Sequence, residues 1–175
     1  DIEATVDCLN ALGASICRTD NGYLIQPIRT VPEKAELNCC ESGSTLRFML
    51  PIVGALGVDA TITMAGRLPQ RPLSPLWEEM ERMGCTLTRP TADKIRCQGK
   101  LQEGAYTIDG GVSSQFITGL MFALALMKDS STLTITGKVE SKPYIDMTRR
   151  ALDLFDAPNF RTPGQLTVEG DWSNG

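Results

Sequence analysis

Histidine is missing from all 175 residues. Its absence excludes a Ser-His-Asp triad and any His-ligated metal centre. The six cysteines (Cys8, Cys17, Cys39, Cys40, Cys85 and Cys97) contain no C-x-x-C pair, so a zinc site would need thiolates gathered from scattered positions. They read as reduced, mostly buried thiols of a cytosolic protein, and no metal is expected. Positive charge is in deficit, with 17 basic against 21 acidic residues, a net charge of −4 and a pI near 4.9. That argues against a broad nucleic-acid or anionic-membrane surface and leaves room for a local basic pocket. The longest apolar-rich run, residues 116–127, is too short to span a bilayer. The acidic start, Asp1-Ile2-Glu3, does not have the shape of a signal peptide. No G-x-x-x-x-G-K-[ST] occurs and no G-x-G-x-x-G opens a helix pattern, which disfavours a nucleotide-binding fold.

What is present is ordinary globular material, 42% apolar and 22% charged, arranged as an internal repeat. Thr61-Ile62-Thr63-Met64-Ala65-Gly66-Arg67 matches Thr132-Leu133-Thr134-Ile135-Thr136-Gly137-Lys138 at an offset of 71, and Arg71-Pro72 matches Lys142-Pro143 at the same offset. Gly43-Ser44 matches Ser113-Ser114 at an offset of 70, and Gly13 matches Gly84 at an offset of 71. Each unit reads as strand, apolar helix, strand, amphipathic helix, β-hairpin. The spacing predicts strands near 36–38, 60–64, 85–89 and 94–97, and helices over 44–56 and 73–83. The second unit repeats this with strands at 105–108 and 132–136 and helices at 113–127 and 144–155. The fold class is therefore α/β (α+β), built of βαβαββ repeats, with the two apolar helices buried on most sides.

The chain reads as a single domain, 1–175, of roughly two and a half such repeats. Residues 1–35 form a half repeat of helix and hairpin, 36–104 a whole repeat, and 105–175 a repeat with a shortened hairpin. Leu166-Thr167-Val168-Glu169-Gly170 resembles Tyr106-Thr107-Ile108-Asp109-Gly110, as if a further unit were starting. Both ends read as cut from a longer parent.

Polar residues gather where strands hand over to helices. They are Glu41-Ser42-Gly43-Ser44-Thr45 with Arg47 one turn in; Arg67 and Gln70-Arg71 before Pro72; Gly110-Gly111-Val112-Ser113-Ser114-Gln115; and Ser141-Lys142 before Pro143. Helix N-termini expose unpaired amides and a partial positive charge. Glycine lets a ligand approach, hydroxyls donate, and Arg or Lys neutralises phosphate or carboxylate. Pro72 and Pro143 suit the first helical turn. If the helices point one way, their ends form a basic, hydroxyl-rich face that suits a small hydroxylated polyanion. Each serine taken singly is explained by helix capping. Asp109, Asp146 and Asp171 stand near the junctions as candidate acid/base groups.

These junctions also carry a resemblance. Glu41-Ser42-Gly43-Ser44-Thr45-Leu46-Arg47, Arg71-Pro72-Leu73, Val112-Ser113-Ser114-Gln115-Phe116 and Ser141-Lys142-Pro143-Tyr144-Ile145-Asp146 resemble, in order, the 5-enolpyruvylshikimate-3-phosphate synthase family. Val168-Glu169-Gly170-Asp171-Trp172-Ser173 resembles the segment where that family's chain leaves its N-terminal domain. The resemblance implies a pseudo-threefold domain with helices inside and sheets outside, partnered by a second domain. It implies transfer of the enolpyruvyl group of phosphoenolpyruvate to the 5-hydroxyl of shikimate 3-phosphate, in a cytoplasmic monomer with no metal or organic cofactor. On that basis Ser113, Ser114, Gln115, Ser141 and Tyr144 are expected to bind shikimate 3-phosphate, and Gly43, Arg71 and Gln115 phosphoenolpyruvate. Arg47 is expected to support the first loop.

The departures are specific. Many members of the family have Asn where Glu41 stands and Pro where Phe48 stands, and a carboxylate at 41 would repel phosphoenolpyruvate if it pointed inward. The family's N-terminal Gly-Ser-Lys-Ser segment and its second domain, which carries the acid/base Asp, Glu and Lys, have no counterpart in these residues. Proton transfer by such groups contributes about 10²–10⁴-fold, so this chain alone is expected to bind substrate without turnover. The rival readings are the related enolpyruvyl transferase acting on UDP-N-acetylglucosamine, and a non-catalytic repeat or assembly module whose junctions are only caps.

Overall fold

A computed structural model describes residues 1–139, 141–155 and 166–170, the last group as backbone. Helix α1 (Ile2–Ala11) opens the chain, and the hairpin β1 (Ser15–Thr19) and β2 (Gly22–Gln26) follows. The first complete unit runs β3 (Lys34–Asn38), α2 (Gly43–Leu56), β4 (Asp59–Thr63), a 3₁₀ turn (Leu68–Gln70) and α3 (Leu76–Arg82). It closes with the hairpin β5 (Cys85–Thr91) and β6 (Lys94–Gly99). The second unit runs β7 (Ala105–Asp109), α4 (Ser114–Ala125), β8 (Ser131–Thr136) and α5 (Lys142–Phe155), followed by β9 (Leu166–Gly170).

Helices α2 and α4 each carry the chain from one strand to a parallel neighbour, as a βαβ crossover requires. The strand orders are β3-β4-β6-β5 and β7-β8-β9. Strands β3 and β7 alternate exposed and buried residues, so Ala35, Leu37, Tyr106 and Ile108 face inward while Lys34, Glu36 and Asn38 face water. Helices α2 and α4 are buried on most sides, as their all-round apolar composition requires. Fold class, inner helices and outer sheet faces all agree with the sequence reading.

The α2–α4 contact depends on two backbone specialists. Pro51 lies inside α2 and has no N–H to give to the Arg47 carbonyl one turn back. That carbonyl faces α4 at Gly119, where a Cβ would collide with it and stand 3.0 Å from the Pro51 ring. The glycine thus lets the two helices approach backbone to backbone. Phe48 and Phe122 seal the neighbouring layer edge to face, with centroids 5.7 Å apart.

Two details differ from expectation. Helix α3 begins at Leu76, not 73, so Pro72 is not in a first helical turn. Residues before proline are driven out of the helical region, and Pro75 imposes this on Ser74, so the helix starts one proline later. Secondly, the parallel register slips between units. Leu37 pairs with Ile62, whereas Ile108, the repeat counterpart of Leu37, pairs with Ile135 and not with Leu133. A slip of two positions keeps every side chain on its own face, so the core tolerates it. Strand β9 runs parallel to β8, whereas β6 runs antiparallel to β4; its direction is that of a strand opening another unit, the reading its likeness to residues 106–110 gave. Residues 156–165, where the offset shortens, lie outside the described residues.

All six cysteines are free thiols, four of them buried and Cys17 and Cys40 exposed. Among the described residues no group of His, Cys, Asp or Glu could hold a metal, and no helix is long and apolar enough to cross a membrane.

Candidate functional site

The turn between β3 and α2 is built by its own polar atoms. Asn38 Oδ1 accepts from the Cys40 amide (3.0 Å), Cys40 takes a left-handed backbone (φ 49°), and the Ser42 amide donates to the Cys39 carbonyl (2.8 Å). Ser42 Oγ then accepts from the Thr45 amide at 3.2 Å, a regular N-cap. Gly43 follows as the first residue of α2. A Cβ there would lie 2.8 Å from Arg47 Nη1 and 3.0 Å from Arg71 Nη1, so two guanidinium groups flank a bare Cα at a helix N-terminus. This is a compact anion-binding geometry: amides, the helix dipole and two cations converge.

The two arginines arrive by different routes. Arg71 is exposed and ends the 3₁₀ turn in an extended conformation; it does not sit at a helix start. Arg47 is 8% exposed. Its Nη1 donates to Gln115 Oε1 (2.9 Å) and, at 3.5 Å, to the Gly43 carbonyl, and its guanidinium lies 5.4 Å from the centroid of the Phe116 ring. Among the described residues its buried Nε has no partner. Burial, and secondarily the charge of Arg71, lowers its pKa from the usual arginine value.

The second junction uses hydroxyls. Asp109 Oδ1 accepts from the Gly111 amide (2.7 Å), the same turn that Asn38 makes at the corresponding place in the first unit. A carboxylate thus engaged shapes the loop. Ser113 caps α4, its Oγ accepting from the Gln115 amide (3.2 Å). Ser114, Gln115, Ser44 and Tyr144 line a cavity of about 520 Å³ between α2, α4 and α5, a size typical of small-molecule sites. Its apolar wall includes Phe48, Phe122 and Met147. Thr118 and Thr148 join α4 to α5 through their hydroxyls at 2.9 Å. Ser141 stands outside the lining, with a left-handed backbone (φ 57°), and its carbonyl accepts from the Tyr144 amide at 3.0 Å.

The structure thus brings Gly43, Arg47, Arg71 and Gln115 together, and separately Ser114, Gln115 and Tyr144. Gln115 belongs to both groups. Glu41 does not close the site: its carboxylate lies over Gly66, where a Cβ would collide with it, and among the described residues it makes no ion pair with either arginine. Asp146 is half-buried on α5, and Asp171 lies outside the described residues. Sequence reasoning missed the cavity residues Phe48, Phe122 and Met147 and named Ser44 only as a junction residue. For Ser44 a signal existed, its match to Ser114 across the repeat; the apolar ones look like any core residue until the helices are assembled.

The site is thus carried on an α/β fold with buried crossover helices, whose N-termini gather guanidinium and hydroxyl groups. The fold matches solved structures of EPSP synthase from Acinetobacter baumannii with a TM-score of 0.68 over 96% of this chain and 40% of that one, at 20% identity. Residues 1–174 match the family model for EPSP synthase (3-phosphoshikimate 1-carboxyvinyltransferase), and the chain belongs to that family. It is 38% identical to the 3-phosphoshikimate 1-carboxyvinyltransferase of Clostridium kluyveri, over 99% of this chain and 44% of the relative. To that of Clostridium beijerinckii it is 35% identical, over 89% of this chain and 38% of the relative. The chain therefore spans less than half the length of these relatives.

Proposed function

We propose that this chain forms the greater part of the substrate-binding N-terminal domain of an enolpyruvyl transferase. Shikimate 3-phosphate sits on Ser113, Ser114, Gln115, Ser141 and Tyr144, and phosphoenolpyruvate on Gly43, Arg71 and Gln115. The observation that carries this reading is the position of Gln115, which touches the buried Arg47 beside Gly43 and also lines the hydroxyl-bearing cavity. A reaction joining two anions needs them side by side, and one shared donor between a cationic pocket and a hydroxyl pocket meets that need. Arg71 suits a bidentate contact with carboxylate or phosphate.

The proton-transfer groups come from the second domain, which closes over the anions and excludes water. The chemistry is enolpyruvyl transfer through a tetrahedral intermediate with release of phosphate, needing no metal or organic cofactor. The protein works as a cytoplasmic monomer, in keeping with its six free thiols, and this chain alone binds without turnover. Calorimetric titration with shikimate 3-phosphate, with shikimate as control, tests the reading. Binding should require the phosphate, vanish in Ser114→Ala and leave folding near normal. Equal affinity for shikimate, or an unchanged Ser114→Ala variant, would refute it.

A further inference from the structure

We propose that Arg47 is a positioning residue that aims the Gln115 amide: by holding the carbonyl oxygen, it leaves the NH2 arm as the face shown to the bound anions. The inference rests on the reading above that Gln115 meets both substrates.

A guanidinium carries only donors, so the Gln115 atom 2.9 Å from Arg47 Nη1 must be the carbonyl oxygen. The rotation that would exchange oxygen and nitrogen would set two donors against each other. Arg47 cannot easily yield. It is nine-tenths buried, lies against the Phe116 ring and reaches back to the Gly43 carbonyl. Phe116 follows Gln115 directly, so one short stretch of α4 both receives the guanidinium and presents the amide. The other arm of the planar amide, Nε2, donates to no atom of the described residues, and Gln115 lines the cavity with Ser44, Ser114 and Tyr144.

The chemical consequence concerns sign. A free glutamine can offer either oxygen or NH2 to a ligand; next to two anions, the oxygen would repel. With the oxygen occupied, Gln115 is a pure donor, matched to phosphate and carboxylate oxygens and costing no reorganisation on binding. The same contact ties the first turn of α4 to α2 one turn from its start. A buried arginine kept only for packing would also cost stability when removed, so the test must separate the two roles.

The test is a double-mutant cycle on the whole chain, titrated with shikimate 3-phosphate, with folding checked by circular dichroism. Arg47→Met should lower affinity about tenfold in the wild-type background, the scale of one hydrogen bond to a charged group. In the Gln115→Met background it should lower affinity no more than about threefold, because the side chain it aims is gone. Equal losses in both backgrounds would overturn the inference while leaving the functional reading intact. A folded wild-type chain that binds no shikimate 3-phosphate would overturn both. Gln115→Glu covers the case in which Arg47→Met does not fold. It keeps an acceptor for Arg47 and removes the donor arm, so it should stay folded and lose binding, and wild-type affinity in that variant would also overturn the inference.

Discussion

The two βαβα units share one plan and do different chemistry. In the first, the α2 terminus is glycine and arginine: a bare Cα between two guanidinium groups, one of them buried. In the second, the α4 terminus is serine and glutamine, partly exposed at a cavity mouth that Tyr144 shares. The turns leading in are the same, an Asn38 or Asp109 side chain accepting the amide two positions on. The scaffold therefore repeats, and the site is made by letting its copies diverge. A pocket for one small anion needs only one such junction. Two copies with unlike side chains, packed through α2 and α4, set a cationic helix start beside a hydroxyl-bearing cavity, the pairing on which the proposed function rests.

The largest effect should come from breaking the contact that holds the units together. Gly119→Val would push a branched side chain into the Arg47 carbonyl. It should cost about 3 kcal/mol or prevent folding, read as a fall in urea midpoint; a loss under about 1 kcal/mol would mean that the helices are free to separate.

Next is the bond that runs from the first unit to the second sheet. Glu79 on α3 is buried; it accepts twice from Arg82 and also takes the Thr107 amide of β7, while Arg82 donates to the Ala105 carbonyl. Glu79→Ala should cost about 2 kcal/mol, because the Thr107 amide loses its partner. Faster hydrogen exchange at Thr107 than at Leu37 would locate the damage; equal exchange would deny the linkage.

A smaller pair of changes separates strain from function. Cys40 and Ser141 both hold left-handed backbones, at φ 49° and 57°. Replacing either with glycine should raise stability by about 0.5–1 kcal/mol, the relief of strain less glycine's entropy. Only Ser141→Gly should weaken shikimate 3-phosphate binding; a matching loss in Cys40→Gly would show that the hydroxyl is not what matters.

The smallest effect is acid sensitivity confined to one sheet. Arg96 joins β6 to Asp59 of β4 with two hydrogen bonds (2.9 and 2.8 Å) and holds that carboxyl below the usual aspartate range. A depressed folded-state pKa means the contribution is complete above the ordinary aspartate value, about 3.9, and is lost as pH falls through the folded value. Melting temperature should therefore sag at the acid end, and Asp59→Asn should flatten that limb. An unchanged acid limb in the variant would assign the effect elsewhere.

How much of this was legible beforehand follows from which forces act locally. Helices α2 and α4 announced themselves by composition, since residues apolar on all sides have nowhere to go but inside. Gly13 and Gly84, matched across the repeat, stand just past the ends of α1 and α3 with positive φ. The start of α3 was misread because two prolines competed, and periodicity cannot rank them. That Gly43, Ser113, Ser114 and Gln115 stand at helix starts was legible because helix termini have local chemistry. Repeat alignment alone did not show that Arg47 turns inward to Gln115, which lies in the other unit, nor that Glu41 folds over Gly66.

By itself, the sequence determined the class of fold, the inward-facing residues and the junctions where strands hand over to polar helix starts. Those depend on periodicity, capping and turn chemistry, which act between near neighbours in the chain. Only the tertiary structure decided which junctions meet, which arginine is buried, the register slip between the units and the cavity between three helices. Those depend on how closely two backbones can approach, here set by Pro51 and Gly119. No local pattern encodes that distance, because it exists only once both helices are in place.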